Sequence, residues 1–284
     1  MPDDDFLRST LRDQWHLLPT EMIELPLTLL SRGWEFVAGG ETYVARLVEI
    51  GSRHRMECGL AVSMHLRGHR IDVGEPVRTL GGALTAATPD GALAVLRRIP
   101  GRRLDGRDPV DQQWWGERLG AVHRALQGFR HPGLRPWRPL DPEAPHLDAE
   151  PWLRATVTAA LTAAKRLTVT DHLTSGVLHG DPAPEMFLLD PATGRSGLLY
   201  CGAGGTGPLV HDVAAAVAYA GGAEHAGEFL DGYLAAGPVG ADELEAALPV
   251  LLRLRWAVQA DLAARYDCPD VLRLARRALE SMPG

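Results

Sequence analysis

The chain has little of several features that would tie it to a particular compartment or partner. Its three cysteines, Cys58, Cys201 and Cys268, lack metal-ligand spacing and cannot all pair, so free thiols in a reducing compartment are expected. A net charge of -7 argues against binding to nucleic acid or to anionic membrane. No apolar run reaches the roughly 18 residues of a membrane span, and the acidic start does not resemble a signal peptide. We therefore expect a cytoplasmic protein.

The chain does have the composition of a globular protein, with 45% hydrophobic and 23% charged residues over 284 positions. Up to residue 100, short β-rich segments separated by glycine surround one helical pattern at Glu57–Leu66. From residue 101 to 284, helical periodicity dominates. The predicted strands are Leu27–Leu30, Trp34–Val37, Thr42–Val48, Pro76–Leu80, Ala83–Ala87 and Leu93–Leu96. The sequence thus predicts an α+β fold with domains at 1–100 and 101–284.

The second domain carries one stretch that does not read as helix, from Val177 to Gly202. It begins with two apolar residues and the loop His-Gly-Asp at 179–181. A second apolar run starts at Met186, a Pro- and Gly-containing turn follows at 190–194, and a second strand is predicted at Leu198–Tyr200. The stretch therefore predicts a loop that presents a carboxylate, followed by a β-hairpin.

Six segments in order resemble the aminoglycoside phosphotransferase and choline kinase-like family. They are Tyr43–Leu47, Glu57, Ala94–Gly101, Leu119–His123, His179–Asp181 and Gly207–Val213. A single match of this kind is weak, but six in the family's order are specific for its fold. The resemblance implies a two-lobed protein-kinase-like architecture, with a small antiparallel β lobe and a larger helical lobe.

The resemblance also implies roles for residues of the catalytic loop. Asp181 is expected to be the general base, or a polar anchor for a substrate hydroxyl, thiol or amide; the alternative is a carboxylate that only ties the loop together. His179 belongs to the same catalytic signature and is expected to shape the loop. Asp212 is expected to be a structural partner that holds the loop backbone.

Two residues of the first domain, and two just after it, are candidates for binding an anion or substrate. Arg46 takes the place of the strand residue that holds nucleotide phosphates in the family, and Glu57 that of its helix partner. We expect an Arg46–Glu57 ion pair, with anion binding by Arg46 as the alternative. Arg102 and Arg103 lie near the expected hinge and could help to bind an acidic or peptide ligand; otherwise they form a solvated surface.

Two positions depart from the family pattern. Met186 and Tyr200 stand where the family has the Asn and Asp that bind magnesium. A thioether is a soft and weak ligand for magnesium, and a neutral phenol is a poor one. The sequence therefore argues against magnesium and ATP as cofactors. Tyr200 could donate a hydrogen bond to substrate or simply plug the nucleotide site, and Glu185 offers a minor route to a rescued metal site.

These observations support three hypotheses. In the first, a phosphotransferase-fold protein has been repurposed to bind or modify a natural product or peptide around Asp181, for example in class V lanthipeptide-like biosynthesis beside a partner enzyme, with a cyclase- or proton-transfer-type role. In the second, the chain is an active kinase for a small-molecule or peptide hydroxyl, with an unusual metal site. In the third, it is a pseudokinase that scaffolds a partner enzyme.

Overall fold

The computed structural model describes residues 4–25, 32–138, 140–199 and 205–282. The chain divides into two compact units. Unit 1 comprises Met1–Arg103, Phe129–Leu134 and Met186–Ala203, and unit 2 comprises Leu104–Gly128, Arg135–Glu185 and Gly204–Gly284. Unit 1 contains antiparallel sheet and unit 2 is mainly helical, which is the α+β composition that the sequence predicts.

The elements are numbered in chain order. The helices are α1 (Asp4–Trp15), α2 (Arg53–Gly68), α3 (Pro109–Ala125), α4 (Leu153–Thr170), α5 (Val210–Ala220), α6 (Gly227–Ala236), α7 (Ala241–Arg265) and α8 (Pro269–Ser281). The strands are β1 (Glu21–Glu24), β2 (Arg32–Ala38), β3 (Glu41–Val48), β4 (Asp72–Val73), β5 (Glu75–Val77), β6 (Ala86–Thr88), β7 (Gly91–Arg97), β8 (Arg102–Arg103), β9 (Ser175–Leu178), β10 (Phe187–Asp190), β11 (Arg195–Leu198) and β12 (Gly205–Pro208). Within this described part of the chain, no helix has the length and apolar character that a membrane crossing needs.

The main sheet of unit 1 has the strand order β1-β2-β3-β7-β5, with β6 also paired to β7. Side chains alternate between the two faces of β3, so Tyr43, Ala45 and Leu47 are buried on one face. They share a core with Leu11 and Trp15 of α1. Helix α1 thus covers one face of this sheet.

The second sheet of unit 1 has the order β4-β11-β10-β8 and contains the hairpin predicted from the sequence. The Asp190 carboxylate accepts hydrogen bonds from the backbone N–H of Ala192 and the hydroxyl of Thr193, and Gly194 has φ 67°. Pairing resumes at once, with Arg195 opposite Asp190. The second strand therefore begins at Arg195, three residues before the start at Leu198 that the sequence predicts for the strand Leu198–Tyr200, because the turn closes tightly.

Unit 2 is built around helix packing that depends on glycine. A Cβ added to Gly116 of α3 would collide with the Phe229 carbonyl of α6, and one added to Gly232 would collide with the Gln113 carbonyl. The absence of side chains at these positions lets the two helices approach closely. The close approach also brings the Trp115 and Phe229 rings to 4.7 Å between centroids.

Several predicted bounds differ from the structure. The helix predicted at Glu57–Leu66 extends over Arg53–Gly68, and the strands predicted at Pro76–Leu80 and Ala83–Ala87 are shorter and displaced, at Glu75–Val77 and Ala86–Thr88. Strand β1 was not predicted, because Glu-Met-Ile-Glu is short and exposed and forms only by pairing with β2. The predicted strand Leu27–Leu30 lies outside the described residues.

Candidate functional site

The candidate site is the loop that leaves β9 in unit 2. Strand β9 pairs antiparallel with β12, so that Leu178 lies opposite Gly205. Gly180 then adopts φ 93°, a backbone conformation that favours glycine. This turn buries His179 and leaves the Asp181 side chain 63% exposed. The loop therefore exposes the Asp181 carboxylate to solvent, while His179 beside it is buried.

A fully buried carboxylate holds the backbone of this loop. The backbone N–H groups of His179 and Gly180 donate to Asp212 of α5, at 2.6 and 3.0 Å. His123 Nε2 lies 3.0 Å from Asp212 Oδ2, and His123 Nδ1 lies 2.8 Å from the Tyr233 hydroxyl. Because an ionised carboxylate can only accept, His123 carries its hydrogen on Nε2 and accepts from Tyr233 on Nδ1.

Burial and hydrogen bonding act in opposite directions on Asp212. Burial alone would raise its pKa, but the hydrogen bond from His123 and the nearby histidines hold the pKa below its ordinary value. Burial, reinforced by the charges of Asp212 and Glu243, raises the pKa of Tyr233. Tyr233 therefore stays protonated and acts as a donor at the end of this buried chain.

The Asp181 side chain is held separately. Its Oδ1 accepts from the Tyr219 hydroxyl at 2.6 Å and from Arg255 Nη2 at 3.2 Å. Arg255 Nη2 also donates to the Tyr219 hydroxyl oxygen at 3.1 Å, and its guanidinium lies 5.3 Å from the centre of the Tyr219 ring. Burial and the negative charge of Asp181 raise the pKa of Tyr219, which keeps its hydroxyl a donor.

Sequence reasoning missed both Tyr219 and Arg255, which come from α5 and α7. Tyr219 lies near the end of an alanine-rich helix, in no recognisable motif. Arg255 had one usable signal: it follows Leu252 by three residues and precedes Val258 by three, so it lies on an apolar face of its helix. A charged residue on such a face is buried only if it is paired, as Arg255 is.

His211 lies beside this network. It is buried, its ring centroid is 3.7 Å from that of Trp137, and within the described part of the chain its Nδ1 has no hydrogen-bond partner. Burial lowers the pKa of His211 to about 4, Asp212 opposes this effect, and the charge of Arg255 adds to it. His211 is thus a neutral imidazole at pH 7.

In unit 1, Arg46 and Glu57 lie on the same side of the main sheet. Arg46 is half-buried and pairs across strands with Ala94, which packs under α2. The Glu57 carboxylate accepts from Arg53 at 2.8 Å and from Thr85 at 2.9 Å. Burial alone would raise the pKa of Glu57, but these bonds lower it. The Arg46–Glu57 ion pair and anion binding by Arg46 remain predictions.

The remaining predicted site residues lie elsewhere. Arg102 and Arg103 form β8, where they are exposed and pair with Leu189 and Leu188 of β10. Their predicted role in binding an anion or peptide stays a prediction. Tyr200, for which a catalytic or plugging role was predicted, lies outside the described residues, as does its neighbour Cys201.

Met186 and Glu185 are the described residues at the position where the family resemblance implies a metal ligand. Met186 offers a thioether there, and its backbone carbonyl already accepts from the N–H of Leu199 at 2.8 Å. Glu185 is exposed. Within residues 4–25, 32–138, 140–199 and 205–282, no group of three or more His, Cys, Asp or Glu side chains is placed to hold a metal ion. A thioether and one exposed carboxylate do not by themselves supply the oxygen ligands that magnesium needs.

The sequence model of the phosphotransferase enzyme family called APH matches residues 24–250, so the chain belongs to this family. Its structure is similar to amicoumacin kinase hAmiN in complex with AMP-PNP and Ca²⁺ (TM-score 0.78, 19% identity, covering 98% of this chain and 93% of that one). It is also similar to the microcompartment-associated aminopropanol kinase (TM-score 0.75, 18% identity, covering 96% and 94%). Among curated proteins, none matches the sequence.

A third similar structure is a thermostable mutant of aminoglycoside phosphotransferase APH(4)-Ia with AMP-PNP and hygromycin B (TM-score 0.71, 14% identity, covering 97% of each chain). At such identities the structural likeness shows the fold alone. Together with the family match, it confirms the predicted kinase-like fold, with an antiparallel sheet lobe and a helical lobe.

Proposed function

We propose that this protein binds a small molecule or peptide through Asp181 and has left ordinary magnesium–ATP phosphoryl transfer. One observation carries the proposal: Asp181 is exposed on a loop whose backbone is hydrogen-bonded to Asp212, with Oδ1 engaged by Tyr219 and Arg255. Within the described part of the chain, Oδ2 accepts no hydrogen bond. A fixed carboxylate with one unengaged oxygen is suited to accept a hydrogen bond, or a proton, from a substrate hydroxyl or amine.

Donor chemistry supports the departure from magnesium and ATP. Phosphoryl transfer depends on positioning and on neutralising phosphate charge, which the family does with oxygen ligands. Met186 offers no side-chain oxygen, and among the described residues Glu185 belongs to no group of three or more His, Cys, Asp or Glu side chains placed to hold a metal ion. A role for Asp181 as anchor or base in binding or proton transfer requires neither cofactor.

The similar structures suggest a class of ligand. One is named as an aminopropanol kinase and another as a complex with hygromycin B, and both of these molecules carry hydroxyl and amino groups. We therefore propose a hydroxyl- or amine-bearing natural product or peptide as the ligand. The more specific form of the proposal is modified-peptide biosynthesis of the lanthipeptide type in the cytoplasm, with a partner enzyme that acts on the same peptide.

Family membership favours a second candidate, an active kinase for such a hydroxyl. Thermal-shift titration with ATP and ADP, with and without magnesium or manganese, separates the two, because a ligand that binds only the folded state raises its melting temperature. We expect no metal-dependent rise. A clear rise would favour the kinase candidate, and its loss in Glu185→Gln would identify Glu185 as a metal ligand.

Binding through Asp181 is tested directly with a panel of aminoglycosides, amino alcohols and serine- or threonine-containing peptides. We expect at least one class to raise the melting temperature of the wild type and not that of Asp181→Asn. The matched control is Asp231→Asn, which neutralises an exposed carboxylate of α6 in the same unit. A shift that survives in Asp181→Asn would remove Asp181 from the binding site.

A further inference from the structure

The contact between Arg255 and Asp181 is unusual in the burial of its two partners. The Arg255 side chain is only 9% exposed, whereas that of Asp181 is 63% exposed. Desolvating a guanidinium is costly, and an exposed carboxylate at 3.2 Å returns little of that cost by itself. The arrangement therefore calls for an explanation beyond an ordinary surface ion pair.

Tyr219 links the two groups. Its hydroxyl donates to Asp181 Oδ1 and accepts from Arg255, so the three side chains form a closed triangle with edges of 2.6, 3.1 and 3.2 Å. The Arg255 guanidinium also lies over the Tyr219 ring. Helices α5 and α7, which carry these residues, pack against each other. Two packed helices thus supply the two donors of the triangle, and both donors contact the same oxygen of Asp181.

We propose that Tyr219 and Arg255 are positioning residues that fix the Asp181 carboxylate by its Oδ1 and leave Oδ2 as the oxygen that meets the ligand. The inference rests on the proposed function for the identity of the ligand-binding group. Two donors on one oxygen define the orientation of the carboxylate plane, because each restrains rotation about the bonds to Cβ and Cγ. Without them, an exposed aspartate would sample several rotamers.

The triangle also has a consequence for ligand class. Arg255 places a positive charge beside Asp181, so the carboxylate is partly neutralised before any ligand binds. An ammonium group then gains less from Asp181 than it would from an unpaired carboxylate, whereas a neutral hydroxyl still finds an oriented acceptor. Through its contact with Arg255, Asp181 itself is therefore expected to favour a ligand hydroxyl over an amine.

The test is carbon-13 NMR of full-length protein labelled at the aspartate γ-carboxyl, with the Asp181 signal assigned by its loss in Asp181→Asn. We expect Tyr219→Phe to move this signal, since it removes the donor at 2.6 Å. Arg255→Met should also move it, and Arg255→Lys, which retains a charged donor, should move it less. A merely structural role would shift the melting temperature without this graded, site-specific change.

Thr193 provides a matched control, because its hydroxyl donates to Asp190 at 2.7 Å in the same way. Thr193→Val should move the Asp190 signal and leave that of Asp181 in place. If neither Tyr219→Phe nor Arg255→Met moves the Asp181 signal in a folded protein, the triangle does not exist in solution and the proposal fails.

The ligand panel completes the test and separates this proposal from the proposed function. For a compound whose shift depends on Asp181, Tyr219→Phe should reduce the shift, and the hydroxyl analogue of each amine should bind at least as well as the amine. An unchanged shift in Tyr219→Phe overturns the positioning role. If no compound depends on Asp181, the proposed function fails, while the NMR result still decides whether the triangle forms.

Discussion

The two carboxylates of the candidate site, Asp181 in the loop and Asp212 beneath its backbone, differ in almost every physical respect. Asp212 is fully buried and binds the loop by its backbone N–H groups, whereas Asp181 is exposed and is itself held by its neighbours. Asp212 accepts hydrogen bonds on both oxygens, whereas from the described residues Asp181 accepts them on Oδ1 alone. Burial and satisfied hydrogen bonding therefore suit Asp212 for structure and Asp181 for contact with a ligand.

The largest effect is expected from removing the buried carboxylate. Asp212→Ala leaves two backbone N–H groups and His123 without their acceptor inside the protein, and we expect it to lower the free energy of unfolding by about 3–5 kcal/mol. Urea denaturation of the two proteins measures this difference. A loss below about 1 kcal/mol would mean that Asp212 does not hold the loop as described.

The buried side of the loop should also make stability depend on pH through His211. Its folded-state pKa is about 4, whereas an unfolded imidazole titrates near about 6.5. Between these values the unfolded state binds more protons, so the free energy of unfolding falls as the pH is lowered from about 6.5 to 4.

The expected contribution of His211 over that range is about 3 kcal/mol. Urea denaturation of wild type and His211→Asn at several pH values isolates it, because Asp212, Arg255 and the other titrating groups are common to both proteins. We expect a shallower pH dependence in the variant. Parallel curves would show that His211 titrates alike in the folded and unfolded states.

A smaller effect is expected at the far end of the buried chain. Tyr233→Phe removes only the hydroxyl that donates to His123 Nδ1 and should lower the free energy of unfolding by about 1–2 kcal/mol. In the double variant with Asp212→Ala, the cost of Tyr233→Phe should shrink, because the chain is already broken. Strict additivity of the two losses would contradict an energetic link through His123.

The sequence predicted the buried support of the loop better than the contacts of its exposed carboxylate. Asp212 and the loop at 179–181 lie in short motifs whose order predicted the fold, and the family match confirms that fold. Tyr219 and Arg255 come from two helices, in no motif, and meet Asp181 only through the packing of α5 on α7. Contacts of this kind depend on tertiary structure, and periodicity alone does not reveal them.

The hairpin shows that secondary structure, too, was predicted only where local sequence determines it. Its turn was predictable because Asp190, Pro191 and Gly194 each have a local reason to be there. The start of the following strand was not, since the apolar residues Leu198 and Leu199 suggested a later strand than the backbone pairing allows. On the second strand of the hairpin, burial begins at Ser196, a polar residue that an apolar pattern does not reveal.

The smallest stability effect is expected at the exposed carboxylate. Asp181→Asn keeps a carbonyl oxygen for Tyr219 and Arg255 and removes a charge that is 63% exposed, so the free energy of unfolding should change by no more than about 1 kcal/mol. Urea denaturation under the conditions used for Asp212→Ala gives the comparison directly. A loss of unfolding free energy as large as that of Asp212→Ala would make Asp181 a structural residue that supports the buried Arg255. The two carboxylates would then share a structural role. A small loss, together with loss of ligand-induced stabilisation, would assign structure to Asp212 and recognition to Asp181.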